Sequence, residues 1–325
     1  MANLAVLRSK ARIVRALLLM LLTASVQAAD EPGATVLTGT QATYSLATAL
    51  TLGTPIQVLN VPADGRQLAL MKDYIARRMD RLAPTFAAAT AVISLTNALP
   101  GDPIYRFARE ANIRIIGIDA AIPWSLSSPG VALSDAPVSN VDWGSDTDPR
   151  EAATGPYFWL SVSNAIRMGD IIAHDLAEIF PESAPVIANN LDALKRDLLT
   201  LRNGYQDRLI ETGDDTVFAL TGDFVYLTND MGLYVDGYFI KQDIRWTDAD
   251  LTALTKHLED RGIRVVIHKW MPSAEILSAV EDAGAELIVL DTADPGMVVD
   301  RQLVTDGLQQ ILSKNLDAVY SALSR

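Results

Sequence analysis

The stretch from Ser183 to Glu211 constrains this chain most, because apolar residues recur along it at the spacing of one helical face: Ala184, Val186, Leu191, Leu194, Leu198, Leu201, Tyr205 and Leu209. Ser183 as a cap and Pro185 in the first turn mark its start, and Gly213 marks its end. A helix of about 29 residues is roughly 43 Å long, enough to back two lobes, and no flexible Gly/Ser linker accompanies it. On either side, short Val/Ile-rich runs alternate with amphipathic stretches. The runs at Pro55–Val61, Ala91–Thr96 and Ile113–Ile118, then Thr216–Thr221, Tyr234–Ile240, Arg264–His268 and Glu286–Asp291, read as buried parallel strands. Helices are expected over Gln67–Arg81, Pro103–Ala111, Asp248–Arg261 and Ala274–Ala283. Such alternation implies βαβ units. The expected fold is α/β: two lobes with parallel sheets flanked by helices, 34–181 and 212–325, joined by one backbone helix, 182–211. Residues 125–154, rich in Ser, Asp, Pro and Gly, are expected to form an ordered surface loop.

Residues 1–29 carry Arg8, Lys10, Arg12 and Arg15 and no acidic residue, then the apolar run Ala16–Thr23, then Val26-Gln27-Ala28-Ala29. A basic start, a short apolar core and a small-x-small site describe a secretory signal peptide, and the run is too short to span a bilayer. The chain has no cysteine, so the exported protein is expected to be soluble in the periplasm, not a lipoprotein and not membrane-inserted. The formal net charge is −13, and losing the four positive charges of the signal leaves −17. That argues against nucleic acid or an anionic membrane as partner. There is no Gly-x-Ser-x-Gly elbow, no His-Glu-x-x-His, no Gly-rich phosphate loop and no Cys nucleophile, so an enzyme is not expected.

Gly155-Pro-Tyr-Phe-Trp-Leu-Ser-Val-Ser-Asn164-Ala resembles the P-H-x-W-L-D-P-x-N segment of the zinc/manganese solute-binding proteins of ABC importers. Ile171–Glu178, Pro181-Glu182 and Asn189-Asn190 continue that family's two-helix pattern, and Gly222–Leu233 resembles its H-D-A-F-x-Y-F-x-x-x-Y-G-L. Asp248–Asp291 resembles its last βαβ unit. The resemblance implies a monomeric receptor that binds a small ligand between two lobes and delivers it to an ABC permease and its ATPase. The transported ligand would be one divalent metal ion, zinc or manganese, with no organic cofactor.

The family's metal ligands fall on different residue types here. The histidine of P-H-x-W-L is Tyr157, that of H-D-A-F falls on Thr221 with Gly222 and Asp223 next, and the loop expected to hold the first histidine reads Asp64-Gly-Arg-Gln67. The glutamate position falls near His268-Lys269-Trp270, and Asp291 is retained. Zinc favours imidazole and thiolate, and the chain has only three histidines. His174 and His257 read as solvated helix faces. His268 ends a strand, where ligand sites arise in such folds, and is a ligand, a supporting donor or a packed histidine. Two readings of the site stay open. One is an oxygen-rich metal site of Asp291 and Asp223 with His268, and with Asp119 or Tyr157. The other is an organic or anionic ligand, or a metal chelate, met by Arg66, Lys269, Trp270 and Tyr157. Arg66 and Lys269 also read as solvated charges, Trp270 as a core aromatic, and an accessory or sensor protein of the same fold is a further alternative.

Overall fold

Two four-stranded parallel sheets repeat one strand order. The first holds β1 (Thr35–Thr38), β2 (Gln57–Asn60), β3 (Ala91–Ser94) and β4 (Ile116–Asp119), in the order β2-β1-β3-β4. The second holds β5 (Thr216–Ala219), β6 (Tyr234–Tyr238), β7 (Val265–His268) and β8 (Glu286–Val289), in the order β6-β5-β7-β8. The computed structural model describes residues 33–125, 128–143 and 154–325; the signal segment 1–29 lies outside the described residues. All four residues of β3 and of β7 are buried, which is why their sequences, Ala-Val-Ile-Ser and Val-Val-Ile-His, lack the alternation of a one-sided strand.

In the first half α1 (Gln41–Thr51), α2 (Leu68–Ala76), α3 (Met79–Ala88) and α4 (Ile104–Ala111) flank the sheet. Then come α5 (Val162–Ile179) and the long α6 (Ala184–Thr212). The second half adds α7 (Val225–Met231), α8 (Asp248–Arg261), α9 (Ala274–Asp282), a hairpin of β9 (Val298–Val299) and β10 (Gln302–Leu303), and the last helix α10 (Gly307–Leu323). The seven expected strands are present. The helix expected over 67–81 is instead two helices, α2 and α3. The break falls at Arg77, which ends the first, and Arg78, which opens the second, and Pro84 lies inside the second helix.

Helix α6 spans 29 residues and ends at Gly213, whose φ of 67° suits a residue without a Cβ. Its buried residues Leu194, Leu198, Tyr205 and Leu209 lie on the apolar face that the sequence predicts, while near its start Ile187 is buried and the expected Val186 is exposed; it packs on α1, α5 and α10. One cluster of buried side chains joins Val36 and Ile93 of the first sheet, Leu194 and Leu198 of α6, and Val217 and Ile267 of the second sheet. The core therefore runs unbroken from one sheet to the other. The described part of the 125–154 segment does more than cover a surface. Asn140 donates its N–H to the Tyr238 carbonyl at 3.1 Å, and Trp143 packs 4.6 Å from the Phe239 ring, so a segment from the first half seals the second.

Candidate functional site

In a sheet of this strand order the chain leaves neighbouring strands in opposite directions between β5 and β7, and ligands of open α/β sheets bind beyond the carboxyl ends of strands at such a point. The residues that follow β5 are Leu220, Thr221, Gly222 and Asp223; those that end and follow β7 are His268, Lys269 and Trp270. Five of the residues singled out in the sequence are thereby brought together.

At the centre, the Lys269 Nζ lies 2.5 Å from Asp223 Oδ2. Asp223 is buried, and the Thr221 hydroxyl donates to the same carboxylate oxygen at 2.9 Å. His268 is 3% exposed, with its ring 4.6 Å from that of Trp270. Its Nε2 lies 3.9 Å from Asp243 Oδ1, and its Nδ1 has no hydrogen-bond partner among the described residues. Burial pulls its pKa down to about 4, so the ring is neutral at pH 7. Trp270 is 44% exposed, its indole N–H 3.3 Å from the Asp243 carboxylate, and the Lys269 Nζ lies 4.9 Å from its ring centroid. A cation, an exposed aromatic face and a neutral imidazole thus share one wall. Asp243 carries no signal in the sequence, because it sits in a single turn of 3-10 helix, Asp243–Arg245, too short to show a period.

The loop after β8 supplies further carboxylates. The exposed Asp291 caps its own turn, accepting the Ala293 N–H at 2.8 Å, while Asn315 of α10 grips its backbone through bonds of 2.9 and 2.7 Å. Asp294 accepts the Leu68 N–H of the first half at 2.9 Å. Burial, helped by nearby Asp291, pushes its carboxyl up to about 6 against the opposing pull of the Leu68 hydrogen bond and of Lys269. Tyr157 packs edge-on against Trp159 at 5.6 Å, and Trp159 donates its indole N–H to the Thr292 carbonyl at 2.9 Å. This bond ties the Gly155–Ala165 motif to the Asp291 loop.

Two candidates lie elsewhere. Asp119 ends β4 of the first sheet and is engaged in shaping loops, accepting the Asn97 N–H at 2.8 Å and the Ala121 N–H at 2.9 Å. Arg66 stands with a separate group of arginines, bonded to the Gly65 carbonyl and to Asp64. Among the described residues no three His, Cys, Asp or Glu side chains, Asp223, Asp291 and His268 included, are placed as they stand to hold a metal ion. The reason is local, since Asp223 is engaged by Lys269, Asp291 by its own turn, and His268 is packed against Trp270.

The family model for zinc-uptake complex component A, periplasmic, matches residues 108–322. The chain belongs to this family. Its members are non-enzymatic metal-binding receptors, and the chain stands among receptors accordingly. Among solved structures, a mutant of FpvC from Pseudomonas aeruginosa is 20% identical, with a TM-score of 0.69 over 89% of this chain and 98% of that one. FpvC of the same organism in complex with Mn2+ is 19% identical, with a TM-score of 0.63 over 90% and 98%. Zn(II)-bound AdcA from Streptococcus pneumoniae is 16% identical, with a TM-score of 0.63 over 90% and 58%. At these identities the likeness is one of fold. No curated protein matches the chain. Among the described residues no helix is long and apolar enough to cross a membrane.

Proposed function

We propose that this chain is a periplasmic solute receptor that delivers its cargo to an ABC permease and its ATPase, and that the cargo is a divalent metal ion held within an anionic organic complex. Family membership supports the metal, and FpvC with Mn2+ and AdcA with Zn(II) are metal-bound receptors of the same fold. The observation that carries the form of the cargo is the Lys269 ammonium, 2.5 Å from Asp223. A bare ion would compete with Lys269 for that carboxylate. A complex presenting outward oxygens meets the ammonium and the exposed Trp270 face directly, which is favourable for an anion and for a flat organic frame.

A bare-ion reading rests on a different observation. Asp223 pairs with Lys269 at 2.5 Å, and Asp294 is close enough to Asp291 and Lys269 for both to act on its carboxyl. A divalent ion that displaced Lys269 would find these carboxylates, with His268 as a nitrogen donor.

Native mass spectrometry with elemental analysis, on protein purified from periplasm without added metal, separates the two. Metal together with one organic mass is the expected result. Stoichiometric zinc or manganese without organic mass establishes the bare ion instead, and an organic adduct without metal overturns both metal readings.

A further inference from the structure

A second concavity of about 520 Å³ lies between the loop after β2, helices α2 and α3, and the tip of the β9–β10 hairpin. Its charged lining is Arg66, Arg78, Arg81 and Arg301 against Asp64. That is an unusual place for four cations in a chain with 27 basic and 40 acidic residues. Asp64 is taken up by Arg66 at 3.3 Å; among the described residues Arg78, Arg81 and Arg301 have no carboxylate within ion-pairing distance. The guanidinium carbons of Arg78 and Arg66 lie 4.2 and 5.1 Å from the centroid of the same ring, Tyr74. Two like charges held against one aromatic ring repel each other, and an anion between them relieves that repulsion.

The hairpin supplies an independent observation. Asp300 and Arg301 form its two-residue tip with φ of 50° and 65°. Such a turn is adopted without strain by glycine, and a residue with a Cβ is held there only by its surroundings. The hairpin is fixed in place: Leu303 is buried, and its N–H donates to the Ala63 carbonyl at 2.8 Å. The strained turn therefore holds the Arg301 guanidinium at the rim of a pocket whose other arginines come from the opposite half of the chain.

We propose that this pocket binds an oxyanion ligand carrying two or more neighbouring carboxylate or phosphate groups, at a site distinct from the cleft around Lys269. Guanidinium forks match carboxylate and phosphate oxygens in pairs, and the volume suits a small molecule. The proposal is independent of what the cleft carries.

The test is calorimetric titration of the purified chain at low salt with citrate and with pyrophosphate. One-to-one saturable binding of at least one probe is expected, and the tighter of the two identifies carboxylate or phosphate as the recognised group. Arg78→Gln, Arg81→Gln and Arg301→Gly should each weaken binding about tenfold or more. Arg301→Gly should at the same time leave the thermal midpoint unchanged or raise it, because the backbone strain is removed, so its loss of binding is not a loss of folding. Lys269→Ala, outside the pocket, should leave the affinity for both probes unchanged. The proposal is overturned if neither probe binds with a defined stoichiometry, if the arginine variants keep the wild-type affinity, or if Lys269→Ala abolishes binding.

Discussion

The ammonium of Lys269 and the carboxylate of Asp223 meet at 2.5 Å from the ends of two adjacent strands, β7 and β5. Removing the cation leaves a buried anion without its partner. Breaking a fully buried pair costs about 3–5 kcal/mol, and the partial exposure of Lys269 (26%) places this one lower, at about 1–3 kcal/mol. Lys269→Ala is therefore expected to be less stable in urea without metal. It should bind Mn2+ or Zn2+ at least about tenfold more tightly than wild type, which is about 1.4 kcal/mol, and saturating metal should restore part of the lost stability. Unchanged metal affinity in this variant, measured by calorimetry, would mean that Lys269 does not guard the carboxylate.

Asp294 gives a pH dependence of defined sign. Its carboxyl is raised from the ordinary value of 3.8 to about 6, chiefly by burial, so the folded state holds the proton more tightly than the unfolded state. Between these two values stability falls as pH rises, and above pH 6 the full penalty, up to about 3 kcal/mol, applies. Asp294→Asn keeps an acceptor for the Leu68 N–H and removes the charge. It should stabilise the protein at pH 7.5 and have little effect at pH 3.5, read from urea midpoints at both values.

Trp159 is fully buried, and its indole N–H serves the Thr292 carbonyl. Trp159→Phe keeps an aromatic ring but leaves a buried carbonyl unserved and a gap beside it. A loss of about 1–3 kcal/mol is expected. Because the bond ties the Tyr157 segment to the Asp291 loop, faster amide exchange at Asp291–Asp294 should accompany it, and an unchanged exchange pattern would show that the bond does not order the loop.

Leu198 lies in the middle of α6 and in the cluster shared by both sheets. Leu198→Ala should cost about 2–5 kcal/mol. The urea transition should move as one, with circular dichroism and tryptophan fluorescence still coincident; two separated transitions would contradict a continuous core.

The sheets are legible in the sequence because buried parallel strands are written as Val/Ile runs, and α6 because a long apolar stripe at helical spacing suits neither a strand nor a loop. β1 escapes because its apolar run is only Val36-Leu37, closed on both sides by threonine, and α1 because its apolar face, Ala42, Leu46, Ala47 and Leu50, is written among threonines with no charged residue to mark the outer face. Of the site, Thr221, Asp223, His268, Lys269 and Trp270 are legible because they follow predicted strands. That Lys269 pairs with Asp223, and that Asp243 rather than Asp291 faces His268, depends on side-chain direction, which one-dimensional spacing does not hold. The arginine pocket is hidden for a related reason: Arg78 and Arg81 look like one face of a continuous helix until the break before Met79 turns them, and Arg301 arrives from the far end of the chain.

The unbroken core beneath α6 also bears on how this protein can be divided. A gene fragment encoding either sheet alone would leave Leu194, Leu198 and their partners half covered, so neither half is a module that recombination can trade between receptors. Change in such a scaffold is confined to what hangs from the strand ends and loops, and new cargo must be accommodated there by substitution rather than by exchange of a lobe.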